Sequence, residues 1–193
     1  MAPAKSKPQL VMKITFPLSE VYRLLEPGPV VLLTTARAGR ANVMPMSWHL
    51  MMEFTPPLVG CVVSNSDYSF ATLKTTKECV INIPTVELVK IVVACGNTSG
   101  SDVGKFKKFG LTPVLAKLVK APLITECYAS LECKVVDMNL VTKYNFFVLE
   151  VVKAWVDPTR KKPRTIHHRG EGEFMVAGRT IHLPSPKTSL GGK

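Results

Sequence analysis

Two apolar runs stand four residues apart. "PVVLLTTA" ends at Ala36, "ANVMPMSWHLMM" begins at Ala41, and Arg37-Ala38-Gly39-Arg40 lies between them. A parallel crossover needs about a dozen residues or more, so this link permits only an antiparallel hairpin. Continuous β-branched apolar runs of this length read as buried strands. The same pattern recurs. "LVGCVVS", "CVINIP", "ECYASLECKVVDMNL" and "KYNFFVLEVVKAWVD" read as strands, and "GEFMVAGRTIHLP" alternates weakly as a last one. Helical spacing shows in Leu18, Val21, Tyr22, Leu24 and Leu25, in Phe70 and Leu73, and in Val86, Val89 and Val93, the last stopped at Gly96. About six or seven strands with short connections imply a mainly β fold with peripheral helices. The expected form is an antiparallel Greek-key barrel rather than a doubly wound sheet.

At 193 residues the chain fits one domain over 1–193, with 1–13 and 185–193 expected to be flexible tails or dimer arms. Hydrophobic content is 46%, which implies a packed interior rather than disorder. No apolar run approaches the roughly 20 residues of a membrane helix, and "MAPAKSKPQL" has no hydrophobic signal core. A cytoplasmic protein with no membrane partner is the expectation. The five cysteines contain no C-x-x-C pair and several lie in apolar runs, so buried reduced thiols are expected rather than a zinc site or disulfides.

Lysine and arginine exceed aspartate and glutamate by 25 − 14 = 11, which favours anionic partners. The positive charge gathers in "KFKKFG" and in "RKKPRTIHHR", Arg160 to Arg169. A basic nucleic-acid-binding barrel is therefore one reading. Only 7% aromatics, with no basic-aromatic interleaving, weigh against it.

Nucleotide motifs fail on inspection. A phosphate loop needs glycine five positions before Gly104 and Ser or Thr after Lys105, where Ser99 and Phe106 stand. No G-x-G-x-x-G, G-x-S-x-G or H-E-x-x-H occurs. His167 and His168 are adjacent, so on a strand they would face opposite ways and would not share a metal.

Two features survive. Ser64 to Ser69 is polar, follows an apolar strand and opens a helix, where backbone N–H groups favour an anion. Asn42 to Met52 holds four of the eight methionines. Read as one strand, it puts Asn42, Met44, Met46, Trp48 and Leu50 on one face and Val43, Pro45, Ser47, His49 and Met51 on the other. Pro45 demands an edge or a bulge. Such a strand is either a core strand with methionine as gap filler or the wall of a ligand pocket. The residues alone leave both open. Lys105, in a Ser/Gly-rich loop, could offer a point charge to a phosphate.

"PGPVVLLTTARAGRANVMPMSWHLMM", "PPLVGCVVSNSDYSFATLKTTKECVINIP", "GKFKKFGL" and "TIHHRGEGEFMVAG" occur in one order. Together they resemble the flavin reductase-like family, in its flavoredoxin branch, over roughly residues 15–180. The resemblance implies an FMN-binding split β-barrel, a homodimer with FMN near the interface, and no membrane or nucleic-acid partner. It implies oxidoreduction or electron transfer, with NADH, NADPH or a redox partner protein as donor, or a flavin module without turnover. Asn42 and Trp48 match flavin-contacting positions, with Ser47 beside them; Met44 and Met46 add an apolar wall. Ser64, Asn65, Ser66 and Ser69 match the segment around the ribityl phosphate. Lys105 matches a basic residue that reaches the cofactor, and Tyr144 a ring-contacting position. No catalytic acid or base and no metal ligand is implied.

Overall fold

A computed structural model of the protein describes residues 28–181 and 183. The helix expected around Leu18–Leu25, the tails 1–13 and 185–193, and His182 lie outside the described residues. The strands are β1 (Val31–Arg37), β2 (Arg40–Met46), β3 (His49–Phe54), β4 (Pro57–Val62), β5 (Glu78–Ile83), β6 (Pro113–Val114), β7 (Leu123–Ile124), β8 (Ala129–Asp137), β9 (Phe146–Val156), β10 (Ile166–His168) and β11 (Phe174–Val176). The helices are α1 (Tyr68–Thr76), α2 (Val89–Gly96), α3 (Lys105–Phe109) and α4 (Val141–Tyr144).

The turn between β1 and β2 forms as the spacing predicts. Ala38 and Gly39 have φ of 49° and 76°, the pair of left-handed residues that a twist-matched two-residue hairpin needs. From Arg37↔Arg40 to Val31↔Met46 the register runs without a bulge, past Pro45 opposite Leu32. Pro45 is tolerated because β2 is an edge strand, with no strand on its outer side among the described residues.

The expected long second strand is two strands. β1 begins at Val31, so the chain beyond Met46 has no β1 residue to pair with. Ser47 and Trp48 turn out of the ladder, and Val62 N–H then donates to Trp48 O at 3.0 Å. β3 follows and pairs with β4, with its register shift between Met51 and Glu53 rather than at Pro45.

Seven strands form one sheet in the order β2-β1-β5-β8-β9-β4-β3, with every pairing antiparallel. Its two edges, β2 and β3, are consecutive in the chain. The two residues Ser47 and Trp48 therefore bring the edges together, and the sheet curls around a single interior. Val31, Leu33, Met46, Val59, Cys61, Cys79, Cys133, Phe147 and Leu149 meet there. Alternate residues Val30, Leu32 and Val43 point outward, under Val92 and Cys95 of α2, Leu111 and Ile166. β1 is thus buried on both faces, which is why its sequence is a continuous apolar run rather than an alternating one. Each fully buried leucine or valine here contributes roughly 1.5–3 kcal/mol.

All five cysteines are free and buried. Burial first, then neighbouring Cys133, pushes the Cys61 thiol up to about 12. The Cys127 thiol also rises to about 12, mainly through burial. These thiols are inert packing groups at neutral pH.

A second buried polar group shapes the outer surface. The Glu132 carboxylate, fully buried in the sheet, accepts from Lys117 N–H at 3.0 Å, Leu118 N–H at 2.6 Å and Trp155 Nε1–H at 2.7 Å. It pins the loop between β6 and β7 onto β8 and β9.

Candidate functional site

Three cavities converge on the second half of β2. A polar one of about 320 Å³ lies between Ser66–Ser69 and the loop Gly96–Gly100, with Asn42 and Met44 on its wall. A central one of about 600 Å³ runs along Met44–Trp48 to Ser64, Asp67 and Lys143–Asn145. The third, about 410 Å³, lies beyond Pro45–Ser47, under β10 and β11. Met44 joins the first two, and Pro45, Met46 and Ser47 join the last two. The result is one groove along a strand edge.

The polar end is built by hydrogen bonding. Asn42, which faces Thr35 across the hairpin, is buried and donates from Nδ2 to Ser69 Oγ at 2.9 Å. Thr35 Oγ1 donates to the same oxygen at 3.4 Å. These bonds tie the start of α1 to β2. Opposite, Gly100 sits so close that a Cβ would overlap the Asn42 amide and lie 2.7 Å from the Tyr68 ring. Arg40 closes this side, donating from Nη2 to Gly100 O at 2.7 Å and lying 5.5 Å above the Tyr68 ring centre.

Two serine turns border the cavity with the same local geometry. Ser64 and Ser66 hydroxyls are 2.7 Å apart, and Ser66 N–H donates to Ser64 Oγ at 3.2 Å. Ser99 and Ser101 repeat both distances. α1 then starts with Asp67 as its N-cap, but the Asp67 side chain makes no capping hydrogen bond. Phe70 N–H donates to Asp67 O at 2.9 Å, so it is the N–H groups of Tyr68 and Ser69 that this helix end, favourable to negative charge, can offer a ligand. The donor set of this end, two serine turns and a helix N-terminus, suits a phosphate.

The remaining expected residues fall in different places. Met44 and Ser47 are half-buried in the groove wall, whereas Met46 is almost wholly buried and packs in the barrel interior as well. Trp48 is 57% exposed and Tyr144 54%, and both line the central cavity. The Tyr144 ring carries Lys143 Nζ at 5.1 Å. Ser64 lines the central cavity and Ser66 and Ser69 the polar one, but Asn65 is exposed and lines none of the three.

Lys105 departs from the expectation of a lysine on the cavity. It is the first residue of α3, only 4% exposed, and its Nζ donates to Cys95 O at 2.7 Å. Burial lowers its pKa, while Cys95 and Asp67 act the other way. A cation at the C-terminal end of α2 is favoured by the helix dipole. Lys105 therefore braces the Gly96–Gly100 loop from beneath and is absent from the cavity walls.

Sequence reasoning missed several wall residues. Gly96–Gly100 was legible only as a failed phosphate loop, yet its paired serines and small residues were the available signal. Arg40 carried no signal beyond its place in a turn. His168, Gly172 and Phe174 come from the distant β10–β11 hairpin, which no local pattern links to β2.

An antiparallel barrel with a ligand groove at its seam is the class that this fold and site define. The chain belongs to the flavin reductase-like family: the model for the flavin reductase like domain matches residues 22–174. An uncharacterized protein of Archaeoglobus fulgidus is 36% identical over 137 residues, 69% of this chain and 77% of that protein. The FMN-binding domain of a flavin reductases-like enzyme from Shewanella baltica superposes with a TM-score of 0.75 at 26% identity, covering 88% of this chain and 96% of that one. Flavoredoxin from Methanosarcina acetivorans does so with a TM-score of 0.75 at 27% identity, covering 90% and 95%. The fold is the split β-barrel of this family.

Proposed function

We propose that the protein binds one FMN per chain along the β2 groove and works as an FMN-dependent oxidoreductase or electron-transfer protein. The observation that carries this reading is the single groove, with a phosphate-suited end and an apolar middle, in a chain of this family. The Shewanella relative is described as FMN-binding. FMN, when bound, supplies the transfer of a hydride or of single electrons.

The chain's own residues supply position. Ser66, Ser69 and the first N–H groups of α1 would hold the phosphate, with the 97–100 loop closing over it. Met44 and Met46 offer polarisable surface to the ring, and Trp48 and Tyr144 flank its outer side. Ser47 and the backbone leaving β2 supply polar partners where the ladder stops.

The reading extends to a homodimer. Trp48, Leu50, Met51, Met52 and Phe54 are 45–64% exposed on and beside the edge strand β3. An exposed apolar edge next to a cofactor groove fits burial by a second copy. Sedimentation should give twice the chain mass, and a monomer at micromolar concentration would remove this part.

The first test is colour. Protein mixed with excess FMN and desalted should keep a bound-flavin visible spectrum. A colourless product refutes the reading. Anaerobic titration with NADH and with NADPH then separates donors: bleaching by either identifies a nicotinamide-dependent enzyme. Bleaching only by a reduced carrier protein identifies electron transfer, and no bleaching identifies a module without turnover.

A further inference from the structure

Across the barrel from the groove lies a second apolar surface, distinct from the β3 edge. β8 is the middle strand of the seven, so its outer face lies opposite the seam between β2 and β3. The segment 113–124 crosses that face, opened by β6 and closed by β7, which pair with each other. Neither this segment nor Trp155 lines any of the three groove cavities.

The segment divides its apolar residues between two sides. Val119 and Ala121 are buried against Val80 of β5, with Ala116, Leu123 and Val152 beside them. Thr34 Oγ1 donates to Pro122 O at 2.6 Å and Ile124 N–H to Asn82 Oδ1 at 3.0 Å, which fastens the downstream half. The inner side is therefore packed without Val114, Leu115 and Leu118. Leu115 is 92% exposed, and Val114, Leu118 and Trp155 are 41–46% exposed. Glu132 holds the Trp155 indole N–H and the Leu118 N–H on one carboxylate, so these side chains form one patch of fixed shape.

Lysines are interleaved with these apolar groups. Lys117 and Lys120 are exposed, and Lys153 Nζ lies 4.5 Å from the Trp155 ring centre. The carboxylates beneath them are engaged by the backbone of the segment: Glu132 accepts from Lys117 N–H and Leu118 N–H, and Glu78 Oε2 accepts from Lys120 N–H at 3.0 Å. Among the described residues, none of these three ammonium groups forms an ion pair with a carboxylate. The patch therefore presents exposed apolar tips together with outward positive charge.

We infer that this patch is a peripheral docking surface for a bilayer rich in anionic phospholipid. The interleaving decides the class of partner. Lysine is depleted from the cores of protein interfaces. At a lipid surface, by contrast, apolar tips enter the acyl boundary while neighbouring ammonium groups reach the headgroup phosphates. An indole suits the same boundary. The net charge of +11 adds attraction to an anionic leaflet. With this face on lipid, the groove on the opposite side of the barrel stays open to solvent. The inference does not depend on what the groove binds.

The test pellets full-length protein with vesicles of phosphatidylcholine carrying about one third phosphatidylglycerol, and with vesicles of phosphatidylcholine alone. The anionic vesicles should carry down about tenfold more protein, and the difference should shrink as salt is raised. Leu115→Ser combined with Leu118→Ser should cut that binding about fivefold. Both substitutions keep the backbone N–H groups, so Tm should stay unchanged. Lys117→Glu combined with Lys120→Glu should cut binding to a similar degree. Lys161→Glu combined with Lys162→Glu, in the other basic segment, should leave it within about twofold. Four results overturn the inference. Equal binding to both kinds of vesicle, or none, leaves the face to an acidic protein. Leucine variants within about twofold of the wild type reduce the binding to net charge alone. An equal loss from the Lys161 and Lys162 substitutions moves the contact to the other segment. Sedimentation without vesicles that turns from dimer to monomer in the leucine variant makes the patch an interface between copies.

Discussion

The two ends of the groove are built on opposite principles. At the polar end, Asn42, Ser69, Thr35, Arg40 and Gly100 are locked to one another by hydrogen bonds and close approach. At the other, Val92, Val93, Phe174 and His168 contribute shape, with the single imidazole as a directional group. A tightly held anion needs preorganised donors, because ordering them on binding would weaken it. The second end has no such network of hydrogen bonds among its described wall residues.

The sharpest way to break the comparison is Gly100→Val. Its side chain would collide with Asn42 and Tyr68. Overpacking of this kind costs about 3 kcal/mol. The loss should appear as a lower Tm and weaker FMN binding. An unchanged FMN dissociation constant would take the polar end off the cofactor.

Asn42→Ala is next. It leaves Ser69 without its Asn42 donor, and the buried network should lose about 2 kcal/mol. Denaturant unfolding and FMN titration should both register it.

Glu132→Gln serves as a control remote from both ends. Burial acts to raise the Glu132 pKa, but hydrogen bonds from Lys117, Trp155 and Leu118 outweigh it and hold the carboxyl below the usual value of 4.5. A depressed carboxylate contributes stability above its unfolded pKa and loses it as pH falls through the folded one. The wild type should therefore lose stability below about pH 4.5, and Glu132→Gln should flatten that acid limb. At neutral pH the variant should cost about 1.5 kcal/mol, with FMN affinity unchanged. A shifted FMN dissociation constant would link the loop clamp to the groove.

Tyr144→Ala should have the smallest effect. Removing an exposed ring beside the central cavity should weaken FMN binding by about 0.5–1 kcal/mol without altering Tm. No change would take Tyr144 off the flavin.

Much of this was legible along the chain. The β1–β2 turn, the buried character of β1 and the start of α1 near Asp67 all follow from local periodicity and turn chemistry. Lys105, expected to offer its charge to a phosphate, instead donates to the Cys95 carbonyl, a partner that only its packing under α2 supplies. Asn65 is exposed and lines none of the three cavities, since five polar residues in succession cannot all face one of them. The break after Met46 was invisible because Ser47 and Trp48 continue an alternating pattern that no longer has a partner strand.

By itself, then, the sequence determined an antiparallel, mainly β chain, inert cysteines and a polar helix start that suits an anion. These depend on neighbours a few residues apart, where backbone sterics and side-chain period act. Tertiary structure alone decided that β2 and β3 lie on opposite edges, that the Gly96–Gly100 loop faces Ser66, and that His168 stands over Pro45–Ser47. The last two pairings join residues 30 to more than 120 positions apart, and long-range burial rather than local pattern selects them.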